Sequence, residues 1–173
     1  HAVTLTIIDG ATTLGPISVS TITATAGDSA TEWLTTNTVV VSTAGTFTGK
    51  PTGATEVTSS DFDAVLEANK TTNSGKVRIL FRDDETFTSS VAVNMNQTGP
   101  WMIGSFGAGT NRPIVNVATG ATALTCAGSD GRIQGVSFDG ASDGTVKGIQ
   151  YLLGASQITL DTVIFRNMGQ AVN

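Results

Sequence analysis

The chain has 173 residues, of which 13% are charged, 39% are apolar and 20 are glycine, and threonine is the commonest residue. Charge is scarce beside the roughly 25% of ordinary globular proteins, and a Thr-rich, β-branched composition favours strands over helices. The net charge is −5 and the nine Lys and Arg are scattered. That excludes a basic stripe for neutralising phosphates, so no nucleic-acid partner is expected.

No apolar run is long enough to span a membrane. The composition is like that of secreted, cell-surface or viral fibre proteins, so an extracellular or virion-exposed location is expected. The single cysteine, Cys126, cannot form an internal disulfide, and its alternation with Leu124 fits a buried thiol. His1 is the only histidine. It leaves no base for a catalytic thiol and no second imidazole for copper. A chain that starts at His rather than Met is expected to be a processed product or to carry a tag remnant.

Residues 1–50 form a β-rich segment or small module. Val3-Thr4-Leu5-Thr6-Ile7 alternates and runs into Asp9-Gly10, a hairpin-type turn pair. Ile17 to Thr25 alternates again and is broken at Ala26-Gly27-Asp28-Ser29. Thr38-Val39-Val40-Val41-Ser42 is a clear strand, and Gly45, Gly49, Pro51 and Gly53 mark the loop after it. Residues 51–173 then form a second region, which opens with the one helix pattern. From Ser59 to Asn69, Phe62, Val65, Leu66 and Asn69 share a face, and Ser60 with Asp63 reads as a capping box. A lone amphipathic helix here is expected to cover the open end of a stacked β-structure.

Strands follow at 76–81, 86–88, 91–93, 101–106, 114–117, 124–126, 132–139, 148–152 and 157–166, with a Gly-rich loop at 107–113. No helix separates them, which excludes a doubly wound or barrel α/β fold. Within this run Ile133, Val136 and Phe138 recur as Leu160, Val163 and Phe165 at a constant offset of 27 residues. A period in the twenties, built from β-formers and punctuated by turn residues, is the mark of a solenoid. About three turns fit after residue 100. The fold class expected is all-β, a parallel β-helix with one short capping helix and a β-rich N-terminal segment. The final Gly169-Gln170-Ala171-Val172-Asn173 reads as a further strand with no cap. The chain is therefore expected to be part of a longer protein, or to have its open end covered by another chain.

Gly75 to Arg82, Glu85-Thr86-Phe87, Ile103 to Gly109, Arg112-Pro113-Ile114 and Ile133 to Gly140 resemble the first rungs of right-handed parallel β-helix proteins. These are the pectate-lyase-like superfamily of secreted bacterial proteins and phage tailspikes. The resemblance covers about residues 56–173. It implies a right-handed coil and an extracellular carbohydrate-binding or polysaccharide-degrading protein, with polysaccharide as partner. The superfamily also holds adhesins and fibres, so a structural unit that self-assembles through open coil ends is the alternative.

The register aligns side chains between turns about 4.8 Å apart. Val136 and Phe138 point inward over Val163 and Phe165; Ser137 and Asp139 point outward over Ile164 and Arg166. Asp139 and Arg166 then face each other as an exposed ion pair, and Gln134 and Asp161 form a second aligned pair. By resemblance to lyases of this fold, which cluster acids, calcium and a basic residue outside the coil, Asp139, Asp161 and Arg166 are the candidate catalytic set. As plain structure they are solvated ladder pairs of about 0–1 kcal/mol each. Asp83-Asp84-Glu85 is the one dense acidic run and the candidate calcium site, or else an exposed turn. Tyr151 and Trp101 are the candidate sugar-stacking aromatics, with Trp33 and Phe106 behind them; packing is the competing role for Trp101. Gly104, Gly107 and Gly109 lack the following helix and Lys of a nucleotide loop.

Overall fold

The computed structural model describes residues 7–9, 12–14, 33, 35–70, 76–97 and 99–173. The chain divides into two compact units, His1–Glu32 and Trp33–Asn173. In the first, β1 (Ile7–Asp9) pairs antiparallel with β2 (Thr12–Leu14), Asp9 opposite Thr12. An antiparallel pairing thus surrounds the turn expected at Asp9-Gly10, with Asp9 itself in the ladder; Gly10, residues 3–6 and the strand expected over 17–25 lie outside the described residues.

The second unit is a parallel β-solenoid of about four turns. It begins with a 3₁₀ turn (Thr35–Asn37), β3 (Thr38–Ser42), β4 (Thr55–Thr58) and helix α1 (Phe62–Asn69). The first full turn is β5 (Val77–Arg82), β6 (Thr86–Ser89) and β7 (Val93–Met95). The second is β8 (Trp101–Phe106), β9 (Ile114–Val117) and β10 (Thr122–Cys126). The third is β11 (Ser129–Gln134) and the long β12 (Ser137–Tyr151), and the fourth is β13 (Ser156–Asp161) and β14 (Ile164–Val172). Every strand pairing among the described residues of this unit is parallel. Three faces result. The first runs β4-β3-β5-β8-β11-β13. The second stacks β6, β9 and the first halves of β12 and β14; the third stacks β7, β10 and their second halves.

Alternation within each strand sends one set of side chains inward, and parallel register piles like on like. Val39, Ile79, Ile103, Ile133 and Leu160 form one column on the first face. Phe87, Val115, Phe138 and Phe165 form another on the second. Phe138 and Phe165 stack with centroids 5.7 Å apart and planes at 14°. The expected offset of 27 thus holds at Ile133–Leu160 and Phe138–Phe165. On the third face it falls to 23, where Ile149 lies over Val172, because register shifts intervene at Asp143 and Lys147.

Two strands expected as continuous, 132–139 and 157–166, are each cut by a corner. Gly135 and Thr162 occupy the left-handed region there, at φ 65° and 53°. The strand expected at 91–93 lies at Val93–Met95 instead. Helix α1 starts later than expected and is capped by Asp61 rather than Ser60: the Asp61 carboxylate accepts from the Ala64 N–H at 2.9 Å. Asp63 faces inward instead of closing a capping box, and one oxygen accepts from the Ser90 and Val91 N–H groups at 2.6 and 2.9 Å. The apolar face of α1 does cover the first turn. Phe62, Val65 and Leu66 are buried against β5, β6 and β7, and the Phe62 ring lies 4.9 Å from Phe81.

The far end differs. In the last turn the inward side chains Ile158, Leu160, Val163, Phe165 and Met168 are only half-buried. Cys126 lies on the third-face column between Met95 and Tyr151, and burial pushes its thiol up to about 12. No helix among the described residues is long and apolar enough to cross a membrane.

Phe62→Ala should cost about 3–5 kcal/mol, as for other buried Phe truncations. Phe165→Ala should cost roughly half as much, because that ring already meets solvent. Urea-denaturation midpoints of the two variants check the order; a larger loss at Phe165 would contradict the sealing role of α1.

Candidate functional site

The outer side of the second face forms a groove of about 260 Å³. Its floor is a column of outward side chains, Thr86, Ile114, Ser137 and Ile164, one from each turn. The next outward column is Thr88, Asn116, Asp139 and Arg166. The groove's wall is the corner loop 107–113 of the second turn, through Thr110, Asn111 and Arg112. Where the third and fourth turns pass from first to second face through two residues, this turn inserts seven. Ser137 points outward as expected, yet it is buried, because Ile114 and Ile164 flank it in the column.

The candidate catalytic residues are split by the corner. Asp139 and Arg166 are register partners on the second face. Asp161 opposes Gln134 on the first face. The ion pair expected between Asp139 and Arg166 is not formed. Asp139 Oδ1 instead accepts from the Ala141 N–H at 3.0 Å and from Asn167 Nδ2 at 3.1 Å, which ties the next corner together.

The acidic run is pulled three ways. Asp83 sits beneath the loop against Gly107, and burial raises its carboxyl above the ordinary value, more than Ser105 and Gly109 lower it. Asp84 accepts from Asn111 Nδ2 at 2.8 Å, the Asn111 N–H at 2.9 Å and the Thr110 N–H at 3.2 Å, and these bonds hold its carboxyl below the ordinary value. Glu85 binds Ser42 Oγ at 2.8 Å and the Thr43 N–H at 2.6 Å. Each acid therefore fastens a different piece of backbone. Among the described residues no group of three or more His, Cys, Asp or Glu converges on one point.

Trp101 does not reach the surface. It is 1% exposed, and its indole lies inward over Gly131, where any side chain would collide with it. Trp33 and Phe106 are buried too, in a small cluster outside the first face with Val40, Leu80 and Met102. Tyr151 is half-buried on the inward column above Cys126, and burial raises its hydroxyl pKa. None of these aromatics lines the groove.

The groove's free charges are basic. Among the described residues, neither Arg112 nor Arg166 makes an ion pair or a side-chain hydrogen bond; Arg112 is half-buried and Arg166 exposed. Arg166 was legible in the sequence as a member of an outward column. Arg112 was not, because its place depends on a loop that folds back over the face; the run of small residues before it was the available signal.

No family model, curated protein or solved structure matches the chain. What it shares with the superfamily named above is the parallel coil.

The two shifts have opposite signs. Asp84 is lowered, so its contribution to stability is present above the ordinary carboxylate range and is lost as pH falls through the lowered value. Asp83 is raised, so its ionisation opposes folding and the penalty is relieved as pH falls through the raised value. In a carboxyl NMR titration with added acid, Asp83 should protonate before Asp84; the reverse order would contradict the two assignments.

Proposed function

We propose that this chain is a polysaccharide-binding β-solenoid module of an extracellular protein, and that it takes an acidic sugar chain in the groove on its second face. The observation that carries this reading is the pair Arg112 and Arg166, two guanidiniums without acids of their own beside the Thr86 and Ser137 hydroxyls. Guanidinium is a planar fork that matches a carboxylate with two parallel hydrogen bonds. Ile114 and Ile164 supply an apolar floor for the face of a pyranose ring. Asp84 and Glu85 keep their charge at the groove's edge, but their oxygens are engaged by backbone donors, so they do not pair with the two guanidiniums. A chain of net charge −5 attracts a polyanion only locally, so binding rests on these two groups and weakens with salt.

Arg112→Ala and Arg166→Ala should each weaken binding of an oligogalacturonate about 10- to 100-fold, the range for a lost charged hydrogen bond. Calorimetry on the wild-type chain and both variants, with a neutral oligosaccharide of equal length as control, checks this. Equal affinity for the neutral chain would remove the acidic assignment.

The last turn favours a second reading, a structural or adhesive unit whose coils stack end to end. Its inward side chains Leu160, Val163 and Phe165 are half-exposed, and β13 and β14 each pair on one side only. Sedimentation should then show association that rises with concentration and is abolished by Phe165→Glu. A monomer at every concentration would dismiss it.

A further inference from the structure

The loop that walls the groove is held by a device in the turn beneath it. The Asp83 N–H donates to Phe106 O and the Asp84 N–H to Asn111 O, both at 2.9 Å. These two bonds pinch both ends of residues 107–111. From inside the pinch, the Asp84 carboxylate takes the Thr110 and Asn111 N–H groups and the Asn111 side chain. Asp84 and Asn111 are thus bonded reciprocally, backbone to backbone and side chain to both.

Two further features fit the loop to this grip. Gly107 lies at φ 120°, a conformation that L side chains rarely adopt. Gly109 passes so close to Asp83 and Asp84 that a Cβ there would run into both side chains. Asp84 itself sits at φ 62°, left-handed backbone that Asp tolerates better than most residues. Without the grip, 107–111 would be five exposed residues with two glycines, free to sample many conformations.

Arg112 follows directly. It is carried between Asn111, fixed by Asp84, and Pro113-Ile114, fixed by the Ile114 N–H donating to Glu85 O and the Ser137 N–H donating to Pro113 O, both at 2.9 Å. We propose that Asp84 is a positioning residue for the ligand groove: its carboxylate latches loop 107–111 so that Arg112 is held over the floor before ligand arrives. The ordering cost then falls on folding rather than on binding. This rests on the polysaccharide reading above for its ligand, and on the loop geometry alone for its latch.

The test uses the full chain. Asp84→Gly removes the carboxylate and keeps the left-handed backbone. Asp84→Asn keeps one acceptor oxygen and tolerates the same φ. Amide hydrogen exchange of Thr110 and Asn111, read by NMR, should quicken by about tenfold or more in Asp84→Gly and by much less in Asp84→Asn. Oligogalacturonate affinity should fall about tenfold in Asp84→Gly and largely return in Asp84→Asn. In an Arg112→Ala background, Asp84→Gly should cost no further affinity, because the latch acts through that arginine. Unchanged exchange in Asp84→Gly overturns the latch. An equal loss in the Arg112→Ala background overturns the action through Arg112. Should the wild-type chain fail to bind the oligogalacturonate, the ligand role falls with the polysaccharide reading, and the exchange result alone decides the latch.

Discussion

The constraint on which this fold depends is that each turn places its inward side chains directly over those of the turn before. A parallel strand buried on its inner face cannot slip by one residue without turning its whole apolar set outward. The Phe87–Val115–Phe138–Phe165 column and the Val39–Ile79–Ile103–Ile133–Leu160 column fix that register on two faces. Each fully buried member contributes about 1.5–3 kcal/mol relative to exposure. The exceptions follow the same rule. Trp101 enters its column only because the next turn offers Gly131, and a side chain there would meet the indole.

In a stack of this kind a turn is protected only by its neighbours. At the first turn α1 replaces a further rung. Its Phe62 reaches past Phe81 and comes within 6.1 Å of the Phe138 ring, so the plug enters the axis of the coil. At the fourth turn the same inward positions carry Leu160, Val163 and Phe165 with part of each surface in solvent. Burial within the described turns is therefore deepest beside the helix and shallower in the fourth turn.

The inward pattern was legible in the sequence and the corners were not. Ile133, Val136 and Phe138 repeat as Leu160, Val163 and Phe165, and apolar periodicity reports burial directly. The corner between faces repeats too, as Gly135 and Thr162, but Thr is a β-former and hides the left-handed turn it occupies. The cap lies one residue beyond the position the sequence pattern suggests, for a related reason. Ser60 and Asp61 can both accept from a helix N-terminus, and only the buried role of Asp63 decides between them. The site was legible in part. Arg166 and Asp139 share an outward column that the offset predicts. The separation of Asp161 needs the corner, and the importance of Arg112 needs the fold of a loop.

Charge composition is a poor guide to which side chains a site leaves uncommitted when one kind is engaged by architecture. Acids outnumber bases here, 14 to 9, and the densest acidic run lies beside the groove. Yet a carboxylate is an acceptor with up to four lone-pair directions, and corners expose backbone N–H groups that need acceptors. Asp84, Glu85, Asp139 and Asp143 each bind corner or loop N–H groups, and Asp61 and Asp63 do the same around α1. Arginine has only donors; Arg82 spends its own on the Thr46 and Thr48 carbonyls, whereas Arg112 and Arg166 find no such partner among the described residues. The acids beside the groove are engaged by backbone N–H groups while Arg112 and Arg166 are not engaged, which is why a net-negative chain presents a groove with two uncommitted guanidiniums.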